Sequence, residues 1–352
     1  MTRERIISAH STGAGEDHFN YALRPQCLTE MVGQRSVVEK LTIAIEAARA
    51  RNEPLEHILL DGPPGLGKTT LAHVIAHEMG VGNIRVTSGP SLAKQADLLT
   101  ILTQLDTGDI LFIDEIHRLP KIVEEFLYPA MEDFRVDFTI EGGLSGRVVN
   151  FALRPFTLIG ATTRSGLLSA AMRDRFGHRL HLDFYAAGEL ADILRRSADK
   201  LDITSVDDAL SVIAARSRGT PRVANRLLKR VRDYAQVRAD GVLTPDVVER
   251  ALEIQLVDVR GLDELDRAFL QALITVYHGG PAGIEAIAAT MGQERDTLED
   301  VVEPYLLQIG FVIRTRQGRQ ATPPAYDHLG LARPPVATAD PPPSLFPDAP
   351  PN

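Results

Sequence analysis

Gly62-Pro63-Pro64-Gly65-Leu66-Gly67-Lys68-Thr69 follows an apolar run at Ile58 to Leu60 and opens an amphipathic stretch from Lys68 to Met79. The spacing GxxxxGK[ST] between a strand and a helix has a definite physical use. Glycines at 62, 65 and 67 let backbone N–H groups converge on phosphate oxygens, and the helix directs the positive end of its dipole at them. Lys68 then reaches the β and γ phosphates, Thr69 offers a hydroxyl to Mg²⁺, and Thr70 lies beside it in the first helical turn. A loop of this kind needs a buried strand on one side and a helix on the other. The surrounding chain is therefore expected to be α/β.

The rest of that region agrees. From His57 to Tyr185, apolar runs of about four residues alternate with amphipathic stretches, the rhythm of a mainly parallel sheet covered by helices. Candidate core strands are Ile58 to Leu60, Ile84 to Thr87, Ile110 to Ile113 and Thr157 to Gly160. The third ends in Asp114-Glu115, two carboxylates at the carboxyl edge of a buried strand. Asp114 can hold the Mg²⁺ shell and Glu115 can polarise an attacking water, a pairing that favours hydrolysis over binding alone. The fourth ends near Thr162, which in such a sheet can orient water beside a γ phosphate, although a Thr at a strand end more often serves to cap a turn. Arg173-Asp174-Arg175 allows either a local salt bridge or an arginine finger at Arg175, and spacing does not separate the two. Gly219-Thr220-Pro221-Arg222 places Arg222 in the first turn of a proline-started helix.

Past Tyr185 the strand signal stops, and residues 188 to 254 show helical spacing. Between Ala214 and Arg238 seven arginines and one lysine stand against Asp233, the pattern of a solvated helix face. A third pattern starts at Asp263: a helix to Tyr277, a break at Gly279-Gly280-Pro281, a short helix from Ile284 to Met291, and a longer one from Arg295 to Ile309. That is helix-turn-helix spacing, and the strand and Gly-marked turn from Phe311 to Arg319 add a wing. From about Ala332 a proline-rich tail is expected to be disordered.

Net charge is −9, so a footprint that holds nucleic acid by overall positive charge is excluded and any grip must be local. Trp is absent and aromatics are 5%, which argues against stacking on unpaired bases. The single Cys27, the lack of a signal-like N-terminus and the lack of a long apolar run point to a cytoplasmic protein outside the membrane.

Together these elements resemble the AAA+ ATPases, and among them the motors of Holliday-junction branch migration. The resemblance spans about residues 4 to 330. It is carried by Leu23-Arg24-Pro25, Val32-Gly33-Gln34, GPPGLGKTT, FIDEIHRL, LYPAMEDF, FTLIGATTR, RDRFG, RGTPR, ANRLLKRVRD and the segment from GLDELDR through EPYLLQIGF. It implies a large ATPase domain at 1–185, a small helical domain at 186–256, a winged-helix head at 257–330 and a tail at 331–352. It implies ATP and Mg²⁺ as cofactors, with Thr69 and Asp114 at the metal. Leu23, Arg24 and Tyr185 would line the adenine pocket, with Glu132, Asp133 and Phe134 near nucleotide, their own or a neighbouring subunit's.

Arg175 would be the finger reaching an adjacent subunit, Thr162 the first sensor and Arg222 the second. Arg295, Arg314 and Arg319 would meet the phosphates of double-stranded DNA at four-way junctions. The assembly implied is a homohexamer ring acting in recombination, DNA repair and the SOS response to DNA damage. The partners implied are RuvA, docked on a hairpin at about 135–151 through Val148 or Val149, and RuvC. The wing departs from the family pattern, reading RTRQGR where a proline and a further basic residue are expected at Arg316 and Gln317. Two other readings use some of the same parts. A nucleotide-switched DNA-binding regulator would need no hydrolytic Glu115, and a protein unfoldase would leave the winged helix without a use.

Overall fold

The computed structural model describes residues 22–82, 84–140 and 147–333, the side chains at 138–140, 147–149 and 207 excepted. The expected disordered tail, the turn of the hairpin and the partner contacts at Val148 and Val149 lie outside what is described. The chain divides into two compact units, up to Gly261 and from Leu262.

The first unit holds a five-stranded sheet built from β1 (Ile58–Asp61), β2 (Ile84–Ser88), β3 (Ile110–Asp114), β6 (Thr157–Thr162) and β7 (His178–His181), in the order β2-β3-β6-β1-β7. Every neighbouring pair is parallel. The central strands are largely apolar and buried because both faces are covered. Ile58 and Leu60 face one core with Phe112 and Ile159; Leu59 faces the other with Leu111, Ile113 and Leu158. Strand β7 is absent from the sequence expectation for a physical reason. It is an edge strand of which only Leu180 is buried, so His178, Arg179 and His181 hide it from a search for apolar runs.

Parallel strands bring their carboxyl ends to one edge, where open α/β sheets bind ligands. That edge receives the loop after β1, Asp114 at the end of β3 and Thr162 at the end of β6, with Asp61 in register with Thr162. The opposite end is clasped by His57. Its Nδ1 accepts from the Leu158 N–H at 2.9 Å, so Nε2 carries the proton and donates to the Met131 carbonyl at 3.0 Å. The expected hairpin is present as β4 (Arg135–Ile140) paired antiparallel with β5 (Arg147–Ala152).

Four helices, Ala187–Lys200, Asp207–Ala215, Pro221–Arg238 and Pro245–Ile254, share one core with a face of the sheet, through Leu190, Leu194, Ile213, Leu227 and Leu252. Three arginines of the basic run depart from the solvated face expected of them. Arg216, Arg218 and Arg226 are buried, and Arg216 places Nη2 at 2.7 and 2.6 Å from the two oxygens of Glu249.

The second unit has its own core around Phe269, Leu270, Ile287, Leu298 and Leu306. Its helices are Glu264–Gln271, Ile284–Met291, Arg295–Thr297, Glu303–Gln308 and Pro323–Leu329, with a hairpin of β8 (Val312–Thr315) and β9 (Gly318–Ala321). The helix expected from Arg295 onward is interrupted by a π turn at Leu298–Val302. Pro304 explains the interruption: its ring crowds the carbonyl four residues back and it has no N–H, so the turn before it widens. Gly318, at φ 139°, lies so close to the Ala282 carbonyl that a side chain there would collide with backbone. That contact lets Ala282 and Arg319 exchange hydrogen bonds at 2.9 and 2.7 Å and seats the hairpin.

Candidate functional site

The loop after β1 is shaped by glycine. Gly62, at φ 137°, passes against the Leu182 carbonyl, and Gly67, at φ 101°, starts the helix Lys68–Glu78 without any side-chain cap. The first-turn amides of that helix are thus left for a ligand, the arrangement that favours phosphate. The loop opens on a cleft of about 720 Å³, lined by Gly65, Gly67, Lys68, Thr69, Thr70, Asp114 and Glu115 together with Leu23, Arg24, Tyr185 and Arg222.

Lys68 is 7% exposed and donates to the carbonyls of Gly62 at 2.7 Å and Pro63 at 2.8 Å. Burial pushes its amine down to about 8, Asp114 works against that shift and Arg222 adds to it. Burial likewise lifts the Asp114 carboxyl above its usual range, opposed by the Glu115 N–H at 2.9 Å and by the charge of Lys68. Cations and carboxylates here sense one another, as a triphosphate with its metal requires. Glu115 sits at φ 47° and its Oε2 takes Arg118 Nη1 at 2.8 Å. A left-handed conformation at a non-glycine residue is uncommon and concentrates at functional sites.

Thr69 and Asp114 fit Mg²⁺, a hard cation that takes one or two protein oxygens and completes its shell with phosphate and water. Among the described residues no group of three or more His, Cys, Asp or Glu could hold a metal by itself.

The Tyr185 ring packs against Gly33, where a Cβ would stand 2.9 Å from two ring carbons. Its hydroxyl donates to the Leu66 carbonyl at 3.2 Å, and burial pushes it up to about 12. Ile193, Arg196, Ser197 and Asn225 also line the cleft and were not signalled by the sequence. They belong to helices whose periodicity marks only a core face, and that the face opens on a cleft is a tertiary fact. Arg222 follows Pro221 in its helix, and its N–H donates to the Gly65 carbonyl at 3.4 Å, so the helical layer meets the loop directly.

Several expected residues stand elsewhere. Thr162 is buried, its hydroxyl 2.9 Å from His117 Nδ1 and accepting the Arg164 N–H at 3.0 Å, while Thr163 lines the cleft. Within one chain Glu132, Asp133, Phe134 and Arg175 do not line it either. Phe134 packs on the rings of His57 and Phe156, and Asp133 pairs with Arg135 at 3.2 Å. Arg175 stacks 4.2 Å over Tyr128, reaches Glu132 at 3.0 Å and donates to the Ala171 carbonyl at 2.6 Å. The local salt bridge does not form as the sequence suggested: Asp174 pairs with Arg179 at 2.8 Å, not with either flanking arginine.

In the second unit Arg295 and Arg314 are half exposed, but Arg319 is not. Its side chain is 15% exposed and its guanidinium turns inward to Glu303, at 2.7 and 3.0 Å. A fully buried carboxylate must be neutralised, and that need overrides the outward orientation expected of Arg319.

Three family models match in succession: the Holliday junction DNA helicase RuvB P-loop domain over residues 23–182, the RuvB AAA lid domain over 185–258 and the RuvB C-terminal winged helix domain over 259–330. The chain belongs to the RuvB family. A RuvB subunit of the Holliday junction branch migration complex from Kosmotoga olearia is 57% identical over 319 residues, 91% of this chain and 93% of its own length. Another from Limosilactobacillus reuteri is 54% identical over 94% of this chain and 97% of its own. Among solved structures, the Thermotoga maritima RuvB branch migration motor superposes with a TM-score of 0.81 at 53% identity, covering 89% of this chain and all of its own. An AAA+ P-loop domain is thus joined to a lid and a winged helix. No described helix is long and apolar enough to cross a membrane.

Proposed function

We propose that this chain is an ATP-driven motor on duplex DNA that moves the crossover of Holliday junctions, working as a homohexameric ring in the cytoplasm with RuvA and RuvC. The observation that carries the reading is one cleft that gathers Lys68, Asp114, Glu115 and Arg222 in a chain that also carries a winged helix. A switch needs the first half of that set. Glu115 at the strand edge speaks for turnover.

In this reading Gly62, Gly65 and Gly67 shape the loop around the phosphates, whose γ group Lys68 contacts. Thr69 and Asp114 hold Mg²⁺, which would neutralise charge on the phosphate oxygens. Glu115 orients water, Thr162 fixes the sensor turn beside it, and Arg222 reports nucleotide to the helical layer. Leu23, Arg24 and Tyr185 enclose the base. Arg175, with Glu132, Asp133 and Phe134, faces the nucleotide of an adjacent subunit, a placement consistent with their standing outside the cleft of their own chain. Arg295 and Arg314 contact phosphate, and the β4–β5 hairpin receives RuvA. Domain boundaries near 185 and 256 accompany this assignment, and repair and SOS-linked recombination supply its setting.

The test is migration of a synthetic four-way junction by purified protein, with ATP, with and without RuvA. Strand exchange that needs ATP and rises with RuvA is expected. DNA-independent turnover without strand exchange would remove the motor reading and leave a nucleotide switch.

A further inference from the structure

If the second unit grips DNA, it does so with an acidic body. From Leu262 to Arg333 it has six arginines, no lysine, and ten aspartates and glutamates. The three arginines offered for phosphate contact are already engaged. Arg295 lies 2.9 Å from Glu285 and 3.3 Å from Glu299. Arg319 reaches Glu299 at 3.7 Å and Glu303 at 2.7 Å, and Arg314 closes on Glu303 at 2.6 Å. These six side chains form one series of alternating sign, and their charges cancel.

Glu303 is the centre of the series. Its side chain is fully buried, and it accepts four hydrogen bonds, Nε and Nη2 from each of Arg314 and Arg319, at 2.6 to 3.0 Å. Burial alone would raise its carboxyl, but the two guanidinium groups hold it below the usual range. Charge-assisted pairs of this geometry are strong, and removing either partner strands the other. The forks therefore stay with Glu303, which fixes the direction of both arginines and takes one unit of positive charge out of the wing. Arg316 differs: it is exposed at the turn between β8 and β9, and among the described residues it makes no ion pair.

We propose that Glu303 is a positioning residue that limits the grip of the wing on DNA: it withdraws Arg319 from phosphate, presents only the outer edge of Arg314, and leaves Arg316 as the unmasked cation at the tip. The proposal rests on the DNA-binding reading above. A plain structural prop makes the opposite prediction, because loosening the wing would weaken binding.

The experiment is duplex binding by the full chain across a salt series, followed by fluorescence anisotropy, with melting curves to verify folding. Glu303→Gln keeps the shape and one acceptor but loses the charge. It should bind duplex more tightly than wild type and steepen the log–log salt slope by about 1. Arg316→Ala should weaken binding and flatten the slope by about 1, and Arg319→Gln should leave the slope unchanged. Folded Glu303→Gln with unchanged or weaker binding overturns the proposal. So does a flattened slope in Arg319→Gln, which decides the matter should Glu303→Gln fail to fold. Wild-type protein that binds no duplex at any salt removes the DNA reading itself, a result distinct from normal wild-type binding that ignores Glu303.

Discussion

Lys68 carries a pH signature. Its amine sits at about 8 in the folded chain against an ordinary 10.5. For a base shifted down, the unfolded state holds more protons between those values, so the cost of burying the ammonium is felt in full below about pH 8 and lifted as pH rises toward 10.5. Phosphate in the loop supplies the countercharge and draws the proton back. Calorimetry of nucleotide binding near pH 9, in two buffers of different ionisation enthalpy, should show proton uptake. Lys68→Ala should lose the uptake and measurable affinity together; a variant that still binds ATP would mean that Lys68 is not the phosphate contact. Lys68, Asp114 and Glu115 were legible in the sequence because loop and strand-end geometry fix them within a few residues of a recognisable pattern. The surroundings of Arg175, Thr162 and Arg319 were not, because they come from distant segments: Tyr128 and Glu132 hold the first, His117 the second and Glu303 the third.

Among the elements, the clasp at His57 joins β1 to β6 and to the end of the helix Lys121–Glu132 with one neutral ring. Burial lowers its pKa from 6.5, so the unfolded chain takes up the proton first and stability is lost as pH falls below about 6.5. His57→Ala should cost roughly 2–3 kcal/mol near neutral pH, from two buried groups left unpaired. Urea midpoints should show that gap narrowing toward pH 5, and a gap independent of pH would remove the neutral-ring assignment. The central strands were legible because both their faces are apolar. Edge strand β7 was not, since half of it faces water, nor was the π turn before Pro304, which is a local answer to a missing N–H.

For the molecule as a whole, a net charge of −9 is compatible with DNA work if a weak grip is repeated. In the proposed ring, multiplying a small arginine patch would raise avidity without tightening any single contact, as the proposed sliding motor needs. The proposed hexamer predicts complementation. Subunits with Arg175→Ala mixed with subunits carrying Glu115→Gln should recover part of the ATPase that each lacks alone, since some interfaces regain an intact finger and water-orienting carboxylate. If no mixing ratio recovers turnover, Arg175 does not act across an interface. The three-part architecture was legible because its patterns change abruptly along the chain, whereas the internal pairing of charges in the head emerged only when side chains were placed opposite one another.

The bond from the Arg222 N–H to the Gly65 carbonyl fastens the first turn of an 18-residue helix to the phosphate loop. Such a rod is about 27 Å long, so a tilt of about 10° at its anchored end sweeps the other end through about 5 Å. Were the proposed sensor role of Arg222 to drive such a tilt, the free end would move by more than the roughly 3.4 Å spacing of successive base pairs.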